Sequence, residues 1–484
     1  MNTEKHLQNS SIKSRIKFLL SDVSVYGIAT ALYSFIGILS IPILTHNISI
    51  TDYGIFEILI SIVGVATVLG TLGQDAAFAR FHYDVESPGY RDNIVRLGFI
   101  IQFTASLFIM LCFMAIGTKI EQINPSYSKS VQAVLLLAAF VIPATSSYNY
   151  IRNVLKWTFR RGQYVAVSLL YAALLISSYY VLVQYMRTGL YGALMSMMLA
   201  LIVPLAIGLV FFRAIRIGRI DFSYVVPMLS YGVPYMVLGV MNQGLRVVDK
   251  IAVSFYQGVE AAAVYAVGFK VASILLALDS LFHMSWGPIS LAIFKESNAG
   301  KTYDMALNIV IGMMSLSLLV IAGFSDTIIL LLAPANFLEA STAAIILSVG
   351  LALQSVAGIA SIGIDLAKKT RLLVFSWCAG ASVALGLIFQ IGPKLGMIGV
   401  ALSITMGFVV EGFVRIYMGQ QVYKIRFREM RNVFYIPLAV LVMYVINNLP
   451  VPASVTNIAK LSIIAIFMAY WLKKLKTVLN VQAC

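Results

Sequence analysis

The chain has 484 residues and a net charge of +15; 60% of its residues are hydrophobic, only 11% are charged, and the mean hydropathy is +0.89. Soluble domains carry about 25% charged residues, so this composition excludes a soluble protein and indicates a polytopic membrane protein. A nucleic-acid partner is not indicated, because the cations recur in short clusters between apolar stretches. The three cysteines form neither a disulfide framework nor a metal motif.

A helix needs about 20 apolar residues to cross a bilayer, and the hydropathy pattern predicts fourteen such helices in an all-α integral membrane protein. The first apolar run lacks a small-residue cleavage site, which favours a retained helix over a signal peptide. The run 327–332, which follows the polar pair Ser325-Asp326, is predicted to be an interfacial turn. In chain order the predicted spans are 22–44, 54–78, 93–118, 131–151, 163–186, 190–212, 225–250, 260–284, 303–324, 337–361, 371–392, 396–419, 432–449 and 455–472.

The distribution of Lys and Arg predicts the orientation of these spans. With the N-terminus in the cytoplasm, and with Arg96, Arg371 and Lys460 near span ends counted with the adjoining side, 26 of the 35 cations fall on the cytoplasmic side, five fall outside and four lie inside spans. Cytoplasmic loops are enriched in Lys and Arg, so the pattern predicts that both termini are cytoplasmic. The outer loops are short, which leaves no room for an outer catalytic domain and weighs against a membrane glycosyltransferase or polymerase.

An internal repeat is suggested by the segments that begin at Tyr26 and Tyr231, since both open with Tyr-Gly. The offset of about 205 residues equals six spans, and an even number of spans per repeat predicts two halves of the same orientation with a substrate site between them. The predicted division is a six-helix bundle over 1–220, a second over 221–424, and two further helices with a cytoplasmic tail over 425–484.

Four cations lie inside predicted spans, where an ionised side chain costs about 2.5–3.5 kcal/mol on insertion scales. They are Arg246, Lys250, Lys270 and Arg415. Such residues usually face a polar cavity or a partner. Three of them fall within 246–270, and this grouping predicts that the protein handles an anion held partway across a membrane.

On the seventh span, Asn242, Arg246, Asp249 and Lys250 occupy one arc of about 100° at the helical repeat. A polar arc on an apolar helix should face the interior of the bundle. One interpretation is an anion site in which Arg246 and Lys250 meet the substrate and Asp249 orients Arg246 or carries a coupling proton. The alternative is a structural Arg246–Asp249 ion pair, with Lys250 reaching the outer interface. Asp249 is the only close counter-charge predicted here.

The second span begins with the stretch TDYGIF from Thr51, shortly after Leu44-Thr45. This opening, with the Tyr-Gly start of the first span and the six-plus-six-plus-two pattern, resembles the polysaccharide transporters. These are the Wzx-type O-antigen and capsule-repeat flippases of the multidrug/oligosaccharidyl-lipid/polysaccharide exporter superfamily. The resemblance covers most of the chain. It implies alternating access around a cationic cavity in the bacterial inner membrane, with undecaprenyl-diphosphate-linked sugar units as substrate in lipopolysaccharide or other surface polysaccharide biosynthesis.

Within that resemblance, the diphosphate is expected to contact Arg246, Lys250 and Lys270. Asn242 is expected to line the same site, and Arg80, at the cytoplasmic end of the second span, either meets the incoming diphosphate or only anchors the helix.

A polar stripe on the second span, Glu57, Ser61, Gly64, Thr71 and Asp75, is predicted to form the inner face of the first half. Asp75 is a candidate for binding a coupling ion, H⁺ or Na⁺. A helix-start role at the interface is the alternative for Glu57.

Two pairs are spaced i, i+4 in the second half. Glu411 and Arg415 are predicted to form an internal ion pair, which would remove Arg415 from the substrate site or give it a part in ion coupling. Asp279 and His283 are predicted to be either a packing contact or a proton relay.

No catalytic, metal or cofactor motif is predicted, and Gly300-Lys301-Thr302 lacks the preceding glycine and strand of a phosphate-binding loop. The chain is therefore predicted not to be an enzyme. A polysaccharide polymerase and a chain-length regulator are the expected partners. The alternatives are a multidrug cation antiporter of the same superfamily, or a membrane scaffold or enzyme of glycan assembly.

Overall fold

The computed structural model describes residues 36–84, 87–123, 129–212, 220–293, 299–367, 369, 371–425 and 427–483. Tyr26, the Gly27 that follows it and most of the first predicted span lie outside the described residues. Throughout the described ranges the backbone is helical or in turns, without strands. The predicted all-α class is therefore confirmed.

We number the helices of the described ranges in chain order. They are α1 (Ile36–Asn47), α2 (Ile50–Thr71), α3 (Gln74–Phe81), α4 (Pro88–Ile123), α5 (Lys129–Trp157), α6 (Arg161–Ser178, followed by a π-helical stretch Tyr179–Tyr185), α7 (Gly189–Phe211), α8 (Val225–Gln257), α9 (Val259–Ala272), α10 (Ile274–Ala292), α11 (Ala299–Leu332), α12 (Ala340–Ala360), α13 (Gly363–Leu366), α14 (Arg371–Val422), α15 (Tyr435–Asn447) and α16 (Ala453–Ala483).

Twelve stretches of the described chain are helical, long and apolar enough to cross a membrane, so this is a multi-pass membrane protein. The apolar helix α1 is shorter. The 52-residue helix α14 contains a break at Gly396, where φ is 56°, and its two arms coincide with the predicted spans 371–392 and 396–419. The total of fourteen spans stays a prediction.

The break in α14 has an identifiable cause. Pro393 cannot donate to the helix ladder, and Gly396 adopts a left-handed φ that glycine tolerates. The amide of Met397, just after the break, donates to the Gln257 side chain over 2.6 Å. The last residue of α8 thus supplies an acceptor that the interrupted helix no longer provides.

Phe324 interrupts α11 with non-helical dihedral angles, at the place where the sequence pattern is interrupted. The interfacial turn predicted over 327–332 is wrong, because the chain resumes a helix there and continues to Leu332. Ser325 is buried and Asp326 is exposed, so the polar pair is accommodated at a kink and does not end the helix.

The chain divides into two units, Met1–Ile251 and Ala252–Cys484. The first unit holds α1 to α7 and most of α8, and the second holds the last turn of α8 and all later helices. The predicted repeat and its six-plus-six-plus-two division remain predictions.

Candidate substrate and ion-coupling residues

Lys250 forms a buried ion pair with Glu57 inside the first unit. Its Nζ lies 3.1 Å from Glu57 Oε2 and donates over 2.8 Å to Ser61 Oγ, so it joins α8 to α2. The side chains of Lys250 and Glu57 are only 11% and 6% exposed. The prediction that Asp249 is the only close counter-charge is therefore wrong. The interfacial alternative for Glu57 stays a prediction.

The start of α2 places Glu57 for this pair. Ser49 is the N-cap: its hydroxyl accepts the amide of Asp52 and donates to the Asp52 carboxylate. Tyr53, the next residue, is fully buried and hydrogen-bonds to Glu57 one turn later. The Asp-Tyr pair that supports the family resemblance thus has two local roles. Asp52 belongs to the cap, and Tyr53 satisfies the carboxylate that holds Lys250.

The polar arc of α8 divides into two parts. Asn242 and Arg246 are exposed, whereas Asp249 and Lys250 are buried, with only 1% of Asp249 accessible. The Asp249 carboxylate interacts electrostatically with Arg246 and also accepts the backbone amide of Lys250. Each predicted cation of this helix therefore has a carboxylate nearby, and Arg246 is the more exposed residue of the two.

Helices α2 and α8 run antiparallel along each other. Beyond the Lys250 pair, Gly64 approaches the Gln243 side chain, Gly239 approaches Val68, and Gly232 meets the backbone after α2. Along these contacts, residue numbers rise on α2 as they fall on α8. Opposite directions are expected, because a second and a seventh span of an alternating topology cross the membrane in opposite senses.

Helix α2 ends at a sharp break before α3. Leu72 and Gly73 both adopt left-handed φ, 47° and 67°. The backbone at Gly73 lies directly against Gly232, so neither position has room for a side chain. Gly232 is the glycine of the Tyr-Gly pair, and Tyr231 beside it contacts Phe81 edge to face at 6.1 Å. Broken helices of this kind often line transport sites.

The break removes Asp75 from the predicted polar stripe. Glu57, Ser61 and Gly64 do share one face, which is turned toward α8. Asp75 lies beyond the break, at the start of α3, and hydrogen-bonds instead to Asn153 of α5. A stripe at constant helical spacing requires an uninterrupted helix, and the two left-handed residues end that continuity.

Asp75 has a buried carboxylate oxygen without a hydrogen-bond partner, and in the described part of the chain it has no ion-pair partner. The carboxamide oxygen of the preceding residue, Gln74, is also buried and unsatisfied. These acceptors suit a proton or small cation. A role for Asp75 in ion coupling stays a prediction.

The Asp75 environment gives a test of stability. Asp75→Asn removes a charge that no cation compensates, so the melting temperature of the purified protein should stay unchanged or rise. Asn153→Leu should lower it, because a buried carboxylate would lose its donor, at about 1–3 kcal/mol. A large destabilisation by Asp75→Asn, measured by thermal unfolding in detergent, would contradict this assignment.

Arg80 lies in the last turn of α3 and pairs with Asp84 four residues later. Both side chains are at least one-third exposed, where ion pairs contribute about 0–1 kcal/mol. This agrees with an anchor at the end of the helix. Its contact with an incoming diphosphate stays a prediction.

Lys270 belongs to the second unit. It lies in the last turn of α9 and is half-buried, and its carbonyl accepts a hydrogen bond from Ser273 over 2.7 Å at the junction with α10. That Lys270 joins Arg246 and Lys250 in one substrate site stays a prediction.

The second unit confirms the predicted Glu411–Arg415 ion pair, with 3.6 Å between Arg415 Nη1 and Glu411 Oε1. Glu411 is buried and also receives a long hydrogen bond, 3.5 Å, from Gln354 of α12. Asp279 and His283 likewise pair, at 3.5 Å, and Ser355 of α12 donates to Asp279. Both i, i+4 pairs are thus anchored to neighbouring residues of one helix.

Sequence reasoning missed one more cation. Arg96 lies inside α4, within a span-length apolar stretch, and is only 5% exposed. Arg96 lies three residues after the start of the predicted span 93–118, and this position was the one signal that distinguished it from the cations of the loops. Near the end of a helix, the hydropathy pattern does not distinguish a buried cation from a topological anchor.

Comparison with known proteins agrees with this architecture. The model of the polysaccharide biosynthesis protein family matches residues 19–294, which is more than half of the sequence. The chain belongs to this family. No curated protein matches the sequence significantly.

Three solved structures illustrate the shared fold. Lipid II flippase MurJ, in an inward closed conformation, superposes with a TM-score of 0.69 at 16% identity, over 93% of this chain and 98% of that chain. An inward-facing multidrug resistance MATE family transporter of the MOP superfamily gives 0.66 at 15% identity, over 80% and 94%. A MOP superfamily transporter from Pyrococcus furiosus, described with reversed polarity of its binding pocket, gives 0.60 at 16% identity, over 86% and 97%.

Proposed function

We propose that this member of the polysaccharide biosynthesis family is a flippase. Its substrate is an undecaprenyl-diphosphate-linked oligosaccharide, the unit of O-antigen or a related surface polysaccharide. The protein carries this unit from the cytoplasmic to the outer leaflet of the bacterial inner membrane by ion-coupled alternating access. Cytoplasmic termini and cooperation with a polysaccharide polymerase and a chain-length regulator are part of the proposal.

The observation that carries the proposal is the exposure of Arg246 in a membrane-spanning helix. An ionised side chain in a membrane-spanning helix is expensive in lipid, so we infer that the face of α8 that carries Arg246 and Asn242 borders water or a polar ligand. Guanidinium groups bind phosphate oxygens through two parallel N–H···O bonds. A diphosphate headgroup suits this position, while the prenyl chain stays in lipid.

The same helix disfavours a multidrug cation antiporter. A cationic drug requires an accessible carboxylate, but Asp249 is 1% exposed and Arg246 is exposed. Because Lys250 is held by Glu57, we assign Arg246 as the principal anion contact of the first unit. Lys270 is the proposed contact from the second unit.

The test is export of surface glycan in the native host from which the gene has been deleted. Arg246→Gln should reduce export about 10- to 100-fold, since a charge-assisted hydrogen bond contributes about 1.5–3 kcal/mol. Lipid-linked oligosaccharide should accumulate in the cytoplasmic leaflet. Arg246→Lys should retain part of the activity, because it keeps the charge but loses the bidentate geometry.

Lys394→Gln is the matched control, because Lys394 is an exposed cation outside the proposed site. Its export should equal that of the wild type at equal protein level. Full export by the double variant Arg246→Gln, Lys270→Gln would refute the anion site.

A further inference from the structure

The second unit contains a connected cluster of titratable groups, defined here as Asp279, His283, Asp365, Glu411 and Arg415. Asp279 and His283 lie on α10, Asp365 lies in the short helix α13, and Glu411 and Arg415 lie on α14. Asp365 interacts electrostatically with both Arg415 and His283, so it links the two i, i+4 pairs.

Helix α12 contacts this cluster on two sides, toward α10 and toward α14. Ser355 donates to Asp279 on one side, and the adjacent Gln354 donates to Glu411 on the other. Gly358, one turn later, leaves the space that the imidazole of His283 approaches. The cluster is therefore packed in a defined arrangement and is not a set of solvated surface charges.

The charges of the cluster do not balance. Three carboxylates face one guanidinium and one imidazole, so full ionisation leaves two negative charges when His283 is neutral and one when it is protonated. Among the described residues, no other cation pairs with these three carboxylates. Uncompensated charge on partly buried side chains is unfavourable, so a bound proton would stabilise the cluster.

We propose that this cluster is the proton-binding site of the transporter, with the Asp279–His283 pair as the acceptor. Protonation forms an N–H bond on the imidazole or an O–H bond on the carboxyl, and the proton returns to water when the site opens. That this proton drives transport rests on the proposed function. That the cluster binds a proton does not.

Two observations favour a proton over a metal ion. The side chains of His283 and Asp279 are 39% and 22% exposed, so water can reach the pair, and imidazole is the side chain that exchanges protons near neutral pH. The described part of the chain also has no group of three His, Cys, Asp or Glu residues arranged to hold a metal ion.

The first test measures proton binding directly. The chain has four histidines, so ¹⁵N-histidine labelling of the full protein in lipid nanodiscs gives few signals, and His283→Gln assigns the one of interest. On acidification the His283 signal should move from that of a neutral imidazole to that of a protonated one, which reports proton binding directly. Asp279→Asn should move the midpoint of this change to lower pH, because it removes the carboxylate that stabilises the protonated imidazole.

Asp326→Asn is the matched control, because Asp326 is an exposed carboxylate of the same unit. It should leave the midpoint unchanged. A His283 signal that does not titrate, or a midpoint that moves when potassium chloride is replaced by sodium chloride, would overturn the proton assignment.

The second test asks whether the proton is used in transport. In the host lacking the gene, Asp279→Asn should lose glycan export at an unchanged protein level, and Asp326→Asn should retain it. Full export by both Asp279→Asn and His283→Gln would overturn the proposal. If the wild-type chain does not restore export at all, the flippase function fails, whereas the titration in nanodiscs still decides whether the cluster binds a proton.

Discussion

Replacing Lys250 with methionine should destabilise the protein by about 3–5 kcal/mol, because Glu57 would remain as a buried charge without its partner. The lysine is 11% exposed and the carboxylate 6%, and their 3.1 Å contact joins two membrane-spanning helices. Thermal unfolding of the purified protein in detergent, with the protein level in membranes as a second measure, would show the loss.

The double variant Glu57→Gln, Lys250→Met should recover most of that stability, since removal of both charges of a buried pair is often neutral. The same variant separates the two roles of Lys250. If Lys250 only holds α2 against α8, the double variant should export glycan normally. If Lys250 also binds the diphosphate, the variant should fold but export poorly. Equal stability of Lys250→Met and the wild type would contradict the ion pair itself.

The sequence predicts well those features that depend on local spacing. Hydropathy locates the spans, and helical periodicity identifies Glu411 with Arg415 and Asp279 with His283, because residues four apart on a helix are neighbours whatever the tertiary fold. The Tyr-Gly and Asp-Tyr pairs were likewise visible, although their roles were not. Gly232 acts through Leu72 and Gly73, which are distant in the sequence. Tyr53 acts through Glu57, whose own partner Lys250 is distant.

The contacts between helices could not be predicted. Lys250 and Glu57 are separated by 193 positions, and no pattern within either span indicates that they meet. The polar stripe loses Asp75 for a different reason. It assumed one helix through Leu72 and Gly73, and two left-handed residues in succession redirect the chain. A consequence is that Lys250, one of the three cations predicted in 246–270, is paired with a carboxylate. Its part in the substrate site stays a prediction.

Replacing Gly232 with alanine should destabilise the first unit by about 1–3 kcal/mol or more, because a methyl group there overpacks a contact between two backbones. Its Cβ would lie 2.6 Å from the carbonyl oxygen of Leu72 and 3.1 Å from the carbonyl carbon of Gly73. Backbone atoms cannot rotate away as a flexible side chain can, so α8 would have to move from α2. Gly73→Ala should be at least as harmful, because it adds the strain of a left-handed φ to the same overlap.

Gly244→Ala on the same helix is the matched control, because a Cβ at Gly244 would meet no atom within 4 Å. Alanine is the better helix former by about 1 kcal/mol, so Gly244→Ala should be neutral or stabilising in thermal unfolding, whereas Gly232→Ala should lower the melting temperature. Both variants change a helical glycine to alanine, so intrinsic propensity cancels in the comparison. The remaining difference measures the close contact of α8 with the broken helix. Equal melting temperatures for the two variants would show that α8 does not touch the α2–α3 junction.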